Sequence, residues 1–384
     1  MVLFRPHDKD RPKPFAFNKE KISKLMNKNN LDLLIVNAPE NVFYLSGLPV
    51  RHHAKNPILF ALKNQYPSIV LVYKDGSEAL VIWDIYDRNL TWIENTKGCL
   101  SPKDALRHLK NFVKKGISGA GTLGVESSMP FYQYQFLTQT FPELSFVIAD
   151  DLLLDLQLQK SEEEIRRITE STRIAEHAIL ALIEYTKSGI SDIELIQLAK
   201  KVIIEEGAEG WDHFTMAIGT SDPEAPGTGI KVRDHELLRF DIGAFYQGYV
   251  SDVNRQLCVG PIPPEVRDAV AAIVQVQNAC QKAMKPGVDP KVILNVAETT
   301  WREAGRQDAF IIMAHSLGLT TEEYHFFDPM TGGLAKKFES GNVLDLEAWT
   351  LLKGYGTVGN EDTYVVTDTG CKRISTLDMK IFQK

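Results

Sequence analysis

Four carboxylates fall in matching places of a repeated segment. Lys187, Gly189, Ala199, Glu205 and Gly207 recur in the same order as Lys285, Gly287, Ala297, Glu303 and Gly305. Apolar character persists between them, as in Ile190/Val288, Leu195/Ile293 and Leu198/Val296. Ser191 and Asp289 each suit a helix N-cap after a glycine turn. The similarity resumes where Met216-Ala217 meets Met313-Ala314, and where Leu237-Leu238-Arg239-Phe240-Asp241 meets Val343-Leu344-Asp345-Leu346-Glu347. Each half therefore reads helix, helix, strand, hairpin. An acid stands on the first strand of each hairpin, Asp241 or Glu347, and another on the returning strand, Asp252 or Glu361. Two stacked halves would bring the four acids together at a pseudo-twofold axis.

Four carboxylates cannot share one place as free anions, because their mutual repulsion is too large. Either most hold protons or cations sit among them. An oxygen-rich set with one imidazole suits Mn, Co, Fe or Zn. Two such ions about 3.5–4 Å apart can hold a bridging hydroxide and polarise a carbonyl. His315, in Ala314-His315-Ser316-Leu317-Gly318-Leu319, is the candidate imidazole.

The order Asp241, Asp252, His315, Glu347, Glu361 resembles the five-ligand set of the pita-bread metallopeptidases, the group of methionine aminopeptidase, aminopeptidase P, prolidase and creatinase. Asp241-Ile242-Gly243-Ala244 followed by Ser251-Asp252-Val253-Asn254-Arg255 resembles the DxG…DxxR segment of that family. His315 to Leu319 resembles HxxGL, and Glu361-Asp362-Thr363-Tyr364-Val365-Val366-Thr367 resembles EDTxxVT. Glu40 to Gly47 resembles the smaller domain of aminopeptidase P and prolidase.

The resemblance implies an α/β (α+β) fold, with a small creatinase-like N-terminal domain and a pita-bread domain built on the internal repeat. It implies two divalent ions, manganese ahead of cobalt, iron or zinc. Asp241 would hold one, His315 and Glu347 the other, and Asp252 and Glu361 would bridge. A bridging hydroxide would attack a carbonyl carbon, and Glu347 would pass a proton to the leaving amine. The implied activity is that of a Xaa-Pro dipeptidase or aminopeptidase P, acting on a small peptide as a homodimer.

The substrate shell departs from the family pattern. Asp222 to Gly229 lacks the usual Pro-His pair, Glu347-Ala348-Trp349 stands where Glu-Pro is common, and Gly359 stands where an Arg often precedes the last Glu. These departures keep two alternatives open. One is a small-molecule enzyme on the same cage, such as an ectoine hydrolase or dimethylsulfoniopropionate lyase. The other is a catalytically silent binding protein. Around the cage, His325 and His213 are candidate catalytic groups, ahead of His235. Glu322, His52 and His53 are candidate substrate contacts, the last two through a loop that can approach a partner's site. Asp345 would either orient a ligand or form a salt bridge, and Arg255 would hold a ligand carboxylate.

The elements that must carry these residues are legible in outline. Residues 1–17 read as a polar arm, 18–155 as the N-terminal domain and 156–384 as the catalytic domain. Helical periodicity marks Asn18–Asn30, Ser101–Val113 and Tyr132–Phe141, with a short helix at Asn41–Leu45 closed by Gly47. Apolar runs mark strands at Leu33–Val36, Ile58–Leu62, Ser68–Tyr73, Ala79–Trp83 and Gly121–Val125. Ser161 followed by three glutamates opens a long helix running to Tyr185.

The chain has 384 residues, a net charge of −7 and 44% hydrophobic residues. This composition excludes a disordered tail or a disulfide miniprotein. The acidic balance argues against nucleic acid as a partner. No apolar run approaches a membrane span, and the charged, proline-bearing start predicts a cytoplasmic protein. Cys99, Cys258, Cys280 and Cys371 lack CxxC spacing and read as free thiols.

Overall fold

Runs such as Leu33-Leu34-Ile35-Val36 and Ile69-Val70-Leu71-Val72-Tyr73 are apolar at every position, which suits strands covered on both faces. The computed structural model describes residues 19–49, 67–84, 88–221, 227–328 and 336–384. The arm, the expected strand at Ile58–Leu62, His52, His53 and most of the Asp222–Gly227 loop lie outside these residues. Two compact units divide the chain, Met1–Gln157 and Leu158–Lys384.

The first unit holds β1 (Leu33–Val36), β2 (Ile69–Tyr73), β3 (Glu78–Trp83), β4 (Thr96–Cys99), β5 (Gly121–Val125) and β6 (Leu144–Ile148). They form one sheet in the order β4-β3-β2-β1-β5-β6. β1–β2 and β2–β3 are antiparallel, and the other pairs are parallel. The helix Pro102–Gly116 starts at Ser101, whose hydroxyl accepts the Asp104 N–H. Its Leu109 and Val113 pack with Leu33, Ile35 and Leu71 in one core. The short helix spans Pro39–Ser46 and stops at Gly47, where φ is 70°, a conformation glycine adopts without steric cost.

The second unit repeats a helix pair and a hairpin. Helices Glu162–Tyr185 and Asp192–Glu205 each begin with a reciprocal capping box, Ser161/Glu164 and Ser191/Glu194. Helices Pro264–Ala283 and Pro290–Glu303 follow, the latter capped by Asp289. The strands are β7 (Gly210–Ile218), β8 (Leu237–Tyr246), β9 (Tyr249–Val250), β10 (Val253–Cys258), β11 (Phe310–Ser316), β12 (His325–Phe327), β13 (Val343–Leu352), β14 (Gly356–Val366), β15 (Cys371–Arg373) and β16 (Phe382–Gln383). The main path runs β12-β11-β13-β14-β10-β8-β7. From the central β14–β10 pair outward, β13-β11 on one side mirrors β8-β7 on the other, as the repeat requires.

Alternation on these strands decides what faces the site. Leu238, Phe240 and Ile242 join the core with Ile174, Ile179, Leu182 and Leu195 of the first helix pair. Arg239 and Asp241 must then point to the opposite face. On β13 the buried Leu344, Leu346 and Ala348 alternate with Asp345, Glu347 and Trp349 in the same way. On the helix side of β14, Gln277 exchanges hydrogen bonds with Asn360 and also donates to the Leu346 carbonyl. Glu361 is thereby left facing away from the helices.

Candidate metal centre

The strand register assembles the cluster. Asp241 pairs with Asn254, Asn254 with Glu361, and Glu361 with Glu347. His315 pairs with Asp345. Asp252 lies just before β10. One donor group comprises Asp252, His315, Asp345 and Glu361, all buried, with ligand atoms within 4.8 Å of one another. A second comprises Asp241, Glu347 and Glu361, and a third His213, Asp241 and Asp252. All five residues of the expected ligand set are therefore brought together. Glu347 groups with Asp241 and Glu361, whereas the expected arrangement places it with His315. A cavity of about 590 Å³ opens on the cluster, and Thr215, Met313, Trp349 and Glu322 also line it.

Burial and mutual repulsion set the charges. Burial raises the Glu361 carboxyl well above its ordinary range, and Asp252, Glu347 and Asp241 push it the same way. Burial and Asp252 do the same to Asp345. Asp252 is also raised, by burial and by Asp241, against the pull of His213. Burial works upward on Asp241 too, but Arg239 and His213 outweigh it and hold that carboxyl low. Burial pushes His315 down to about 4, so it is a neutral imidazole. Burial would also lower His213, yet Asp252, Asp212 and Asp241 more than compensate and keep it protonated.

These residues fit divalent cations. Among the described residues, neither carboxylate oxygen of Asp345 has a hydrogen-bond partner of ordinary geometry, with only the Thr363 side chain nearby, and His315 Nδ1 lacks one too. Leaving such groups buried and unsatisfied is costly, and a cation among the ligand atoms would offset that cost for the carboxylates. Two donor groups share Glu361, so the set would suit a dinuclear site in which these residues hold both ions.

The surrounding candidates fall in distinct places. His213, on β7, lies 3.2 Å from Asp252 Oδ1 and 3.4 Å from Asp241 Oδ1 through Nε2. Its Nδ1 is 3.2 Å from Asp212 Oδ2, which also accepts a 2.6 Å hydrogen bond from Thr321. Glu322 lines the cavity with φ at 58°. His325 stands beside His315, with ring centroids 6.1 Å apart, and its Nε2 is 3.3 Å from Glu322. His235 sits in the turn before β8, away from the three donor groups. Asp345 makes no salt bridge among the described residues; its ligand atom belongs to the His315 group. Arg255 holds the main-chain carbonyl of Glu361, at 2.7 Å, and the Asp362 carboxylate. It holds no ligand carboxylate, because alternation places Asp362 on the reverse face from Glu361.

Arg239 was not anticipated. Its Nη2 lies 2.8 Å from Asp241 Oδ2 and 2.7 Å from Glu347 Oε1, and its side chain is 3% exposed. The signal was present in the repeat: Arg239 matches Asp345, two residues before an inward-facing acid. Gly359 stands where the resemblance implies an Arg. It pairs across the sheet with Trp349, and a Cβ there would stand 2.6 Å from the Trp349 Cβ.

The model of metallopeptidase family M24 matches residues 166–368, and that of the creatinase/prolidase N-terminal domain matches residues 19–157. A Xaa-Pro dipeptidase of Pyrococcus furiosus is 25% identical over 369 residues, covering 94% of this chain and 98% of the relative. A Xaa-Pro dipeptidase of Lactobacillus helveticus is 24% identical, covering 94% and 97%. Among solved structures, a dipeptidase from Pyrococcus horikoshii OT3 superposes with a TM-score of 0.82 at 20% identity, covering 95% of this chain and 99% of that one. An X-Pro aminopeptidase from Thermotoga maritima MSB8 gives 0.79 at 21%, covering 96% and 100%. These two establish likeness of fold. Among the described residues, no helix is long and apolar enough to cross a membrane.

Proposed function

The chain belongs to metallopeptidase family M24, and from that premise we propose that it is a Xaa-Pro dipeptidase- or aminopeptidase P-like hydrolase of small peptides. The observation that carries this reading is the convergence of Asp241, Asp252, His315, Glu347 and Glu361 on one cavity. The names of its full-length relatives support the peptide class.

In this reading those five residues hold two divalent ions, with manganese the favoured metal for a donor set of carboxylates and one imidazole. When bound, the ions supply Lewis acidity to a carbonyl and acidify a water. The protein supplies the rest. Glu347 carries a proton toward the leaving amine. His213, kept charged by Asp252 and Asp212, offers a proton at Nε2 on the cavity wall. Glu322 receives the cationic end of the peptide, and His325 orients its carboxylate. His52 and His53 complete the substrate contacts in a homodimer. A cytoplasmic location and the division into domains 18–155 and 156–384 belong to the same proposal.

The test is hydrolysis of a panel of Xaa-Pro dipeptides and Xaa-Pro-Yaa tripeptides with added Mn or Co. Turnover above an Asp241→Ala control is expected, and its absence overturns the peptidase reading. One observation favours a second reading. Trp349 fills the space over Gly359 and lines the cavity, so the shell that would grip a peptide carboxylate is replaced by an apolar wall. Turnover of ectoine, creatine or dimethylsulfoniopropionate in place of peptides would select that alternative.

A further inference from the structure

A buried amide faces the site without a use inside the protein. On β10, Val253 and Leu257 join the core beneath the first helix pair, and Arg255 reaches Asp362 on the reverse face. Alternation therefore turns Asn254 and Gln256 toward the ligands. Asn254 stands in the ligand row, between Asp241 and Glu361. Gln256 stands one row along. It pairs with Arg239 on β8, and the same antiparallel course brings Gly359 of β14 next in line, which in turn pairs with Trp349. Arg239, Trp349 and Thr357 line the cavity around this row. Gly359 puts no side chain between Gln256 and Trp349.

Gln256 is 1% exposed, and among the described residues neither its Oε1 nor its Nε2 has a hydrogen-bond partner. The reverse face of the same sheet treats an amide differently. There Gln277 donates to the carbonyls of Leu346 and Asn360 and accepts from the Asn360 side chain. Burying an amide without partners is costly, a cost that a ligand group reaching Gln256 would offset. The unmet acceptor and the unmet donor together define that group. A carboxylate would answer only Nε2, and would meet Asp241 and Glu347, which already share the Arg239 guanidinium. An ammonium or guanidinium would answer only Oε1, beside the Arg239 cation. A carboxamide answers both and carries no charge.

We propose that Gln256 is a specificity-determining residue: its carboxamide, between Arg239 and Trp349, pairs with a substrate side chain that ends in a carboxamide, as in glutamine or asparagine. This rests on the peptide reading above and names the side-chain class the site selects.

The experiment is a kcat/KM panel on the full chain with added Mn. Gln-Pro and Asn-Pro are compared with the apolar Met-Pro and Leu-Pro, and Leu-Pro-Gln with Leu-Pro-Met. Wild type should favour the amide-bearing peptide by about tenfold or more in one of the two sets, and that set identifies which substrate residue carries the amide. In Gln256→Met, similar in length but without the amide, the ratio should fall to about one. The ratio is taken within each protein, so a general loss of activity does not imitate it. The wild-type ratio decides the matter even if Gln256→Met does not fold. Equal rates for amide and apolar peptides in wild type, as when a buried water serves Gln256 with every substrate, overturn the proposal and leave the peptidase reading standing. So does a preference that Gln256→Met retains. No turnover of any peptide overturns both.

Discussion

Arg255 Nη2 lies 2.6 Å from Asp362 Oδ1, and neither side chain has any exposure. The guanidinium also donates to the carbonyls of Asn254, Glu361, Leu377 and Asp378. Asp362 in turn accepts from Ser375 and Asn360. The pair thus locks β10 to β14 on the face opposite the ligands, and fixes the backbone from which Glu361 projects. Asp362→Ala strands a buried guanidinium, so a loss of about 3–5 kcal/mol is expected. Urea unfolding checks it; a loss under about 1 kcal/mol, as for an exposed pair, would show that the lock carries no weight.

Gly318 illustrates a glycine required for space. A Cβ there would stand 2.6 Å from Glu323 Oε1 and 2.7 Å from Lys160 Cε. Those side chains form a buried ion pair at 2.5 Å and cannot swing aside. The Gly318 carbonyl also accepts from Val250 N, which ties the loop after His315 to the segment before Asp252. Gly318→Ala should cost about 1–3 kcal/mol and lower metal affinity. Gly370→Ala, with nothing within 4 Å of its Cβ, is the control. Equal stability of the two variants would refute the argument.

The pH dependence follows from the buried protons. Asp252, Asp345 and Glu361 have raised folded pKa values, and so does His213. A raised folded value gives stability that is complete below the unfolded pKa and is lost as pH rises through the folded one. The carboxyls start this loss above about pH 4, and His213 adds to it above about pH 6.5. Metal-free protein should therefore lose urea resistance from pH 5 to pH 9. Each proton held only by the folded state contributes about 1.4 kcal/mol per pH unit. Metal binding must expel the protons held by the ligand carboxyls. Calorimetry in buffers of different ionisation enthalpy should report proton release, and uptake or no exchange would contradict the assigned charges.

Much of this was legible in the chain. β1 matches its apolar run because a strand buried on both faces needs no alternation to be seen. The capping box at Ser161 marks the start of its helix for local reasons. β4 (Thr-Lys-Gly-Cys) and β6 were not anticipated. The first has one buried residue at each end and polar character between, and the second exposes Val147 and Ile148, so neither carries a core pattern. The acids of the centre were legible because the repeat placed them in pairs. Arg239 was not, because its meaning depends on which carboxylates the register of β8 and β13 brings to its end. His213 likewise acquires its charge from Asp252, which lies on a different part of the sheet.

Asp345 separates stability from metal binding most cleanly. Its carboxyl is buried and kept protonated by burial and by Asp252 against the weaker pull of the Thr363 side chain, and among the described residues its oxygens have no hydrogen-bond partner of ordinary geometry. In the metal-free protein such a group is a cost to folding, since it gave up its water without replacement. Asp345→Asn is nearly isosteric and cannot ionise. It should leave the stripped protein at least as stable as wild type near neutral pH, where retaining the proton on Asp345 is a growing expense. The same change removes an anionic donor beside His315 and should weaken metal binding about 10–100-fold, the range seen when groups supporting a metal site are removed. Urea midpoints in chelator and a Zn²⁺ titration, run on the same two proteins, test both halves. Lower stability without metal, together with unchanged affinity, would make Asp345 a structural residue and remove it from the donor set.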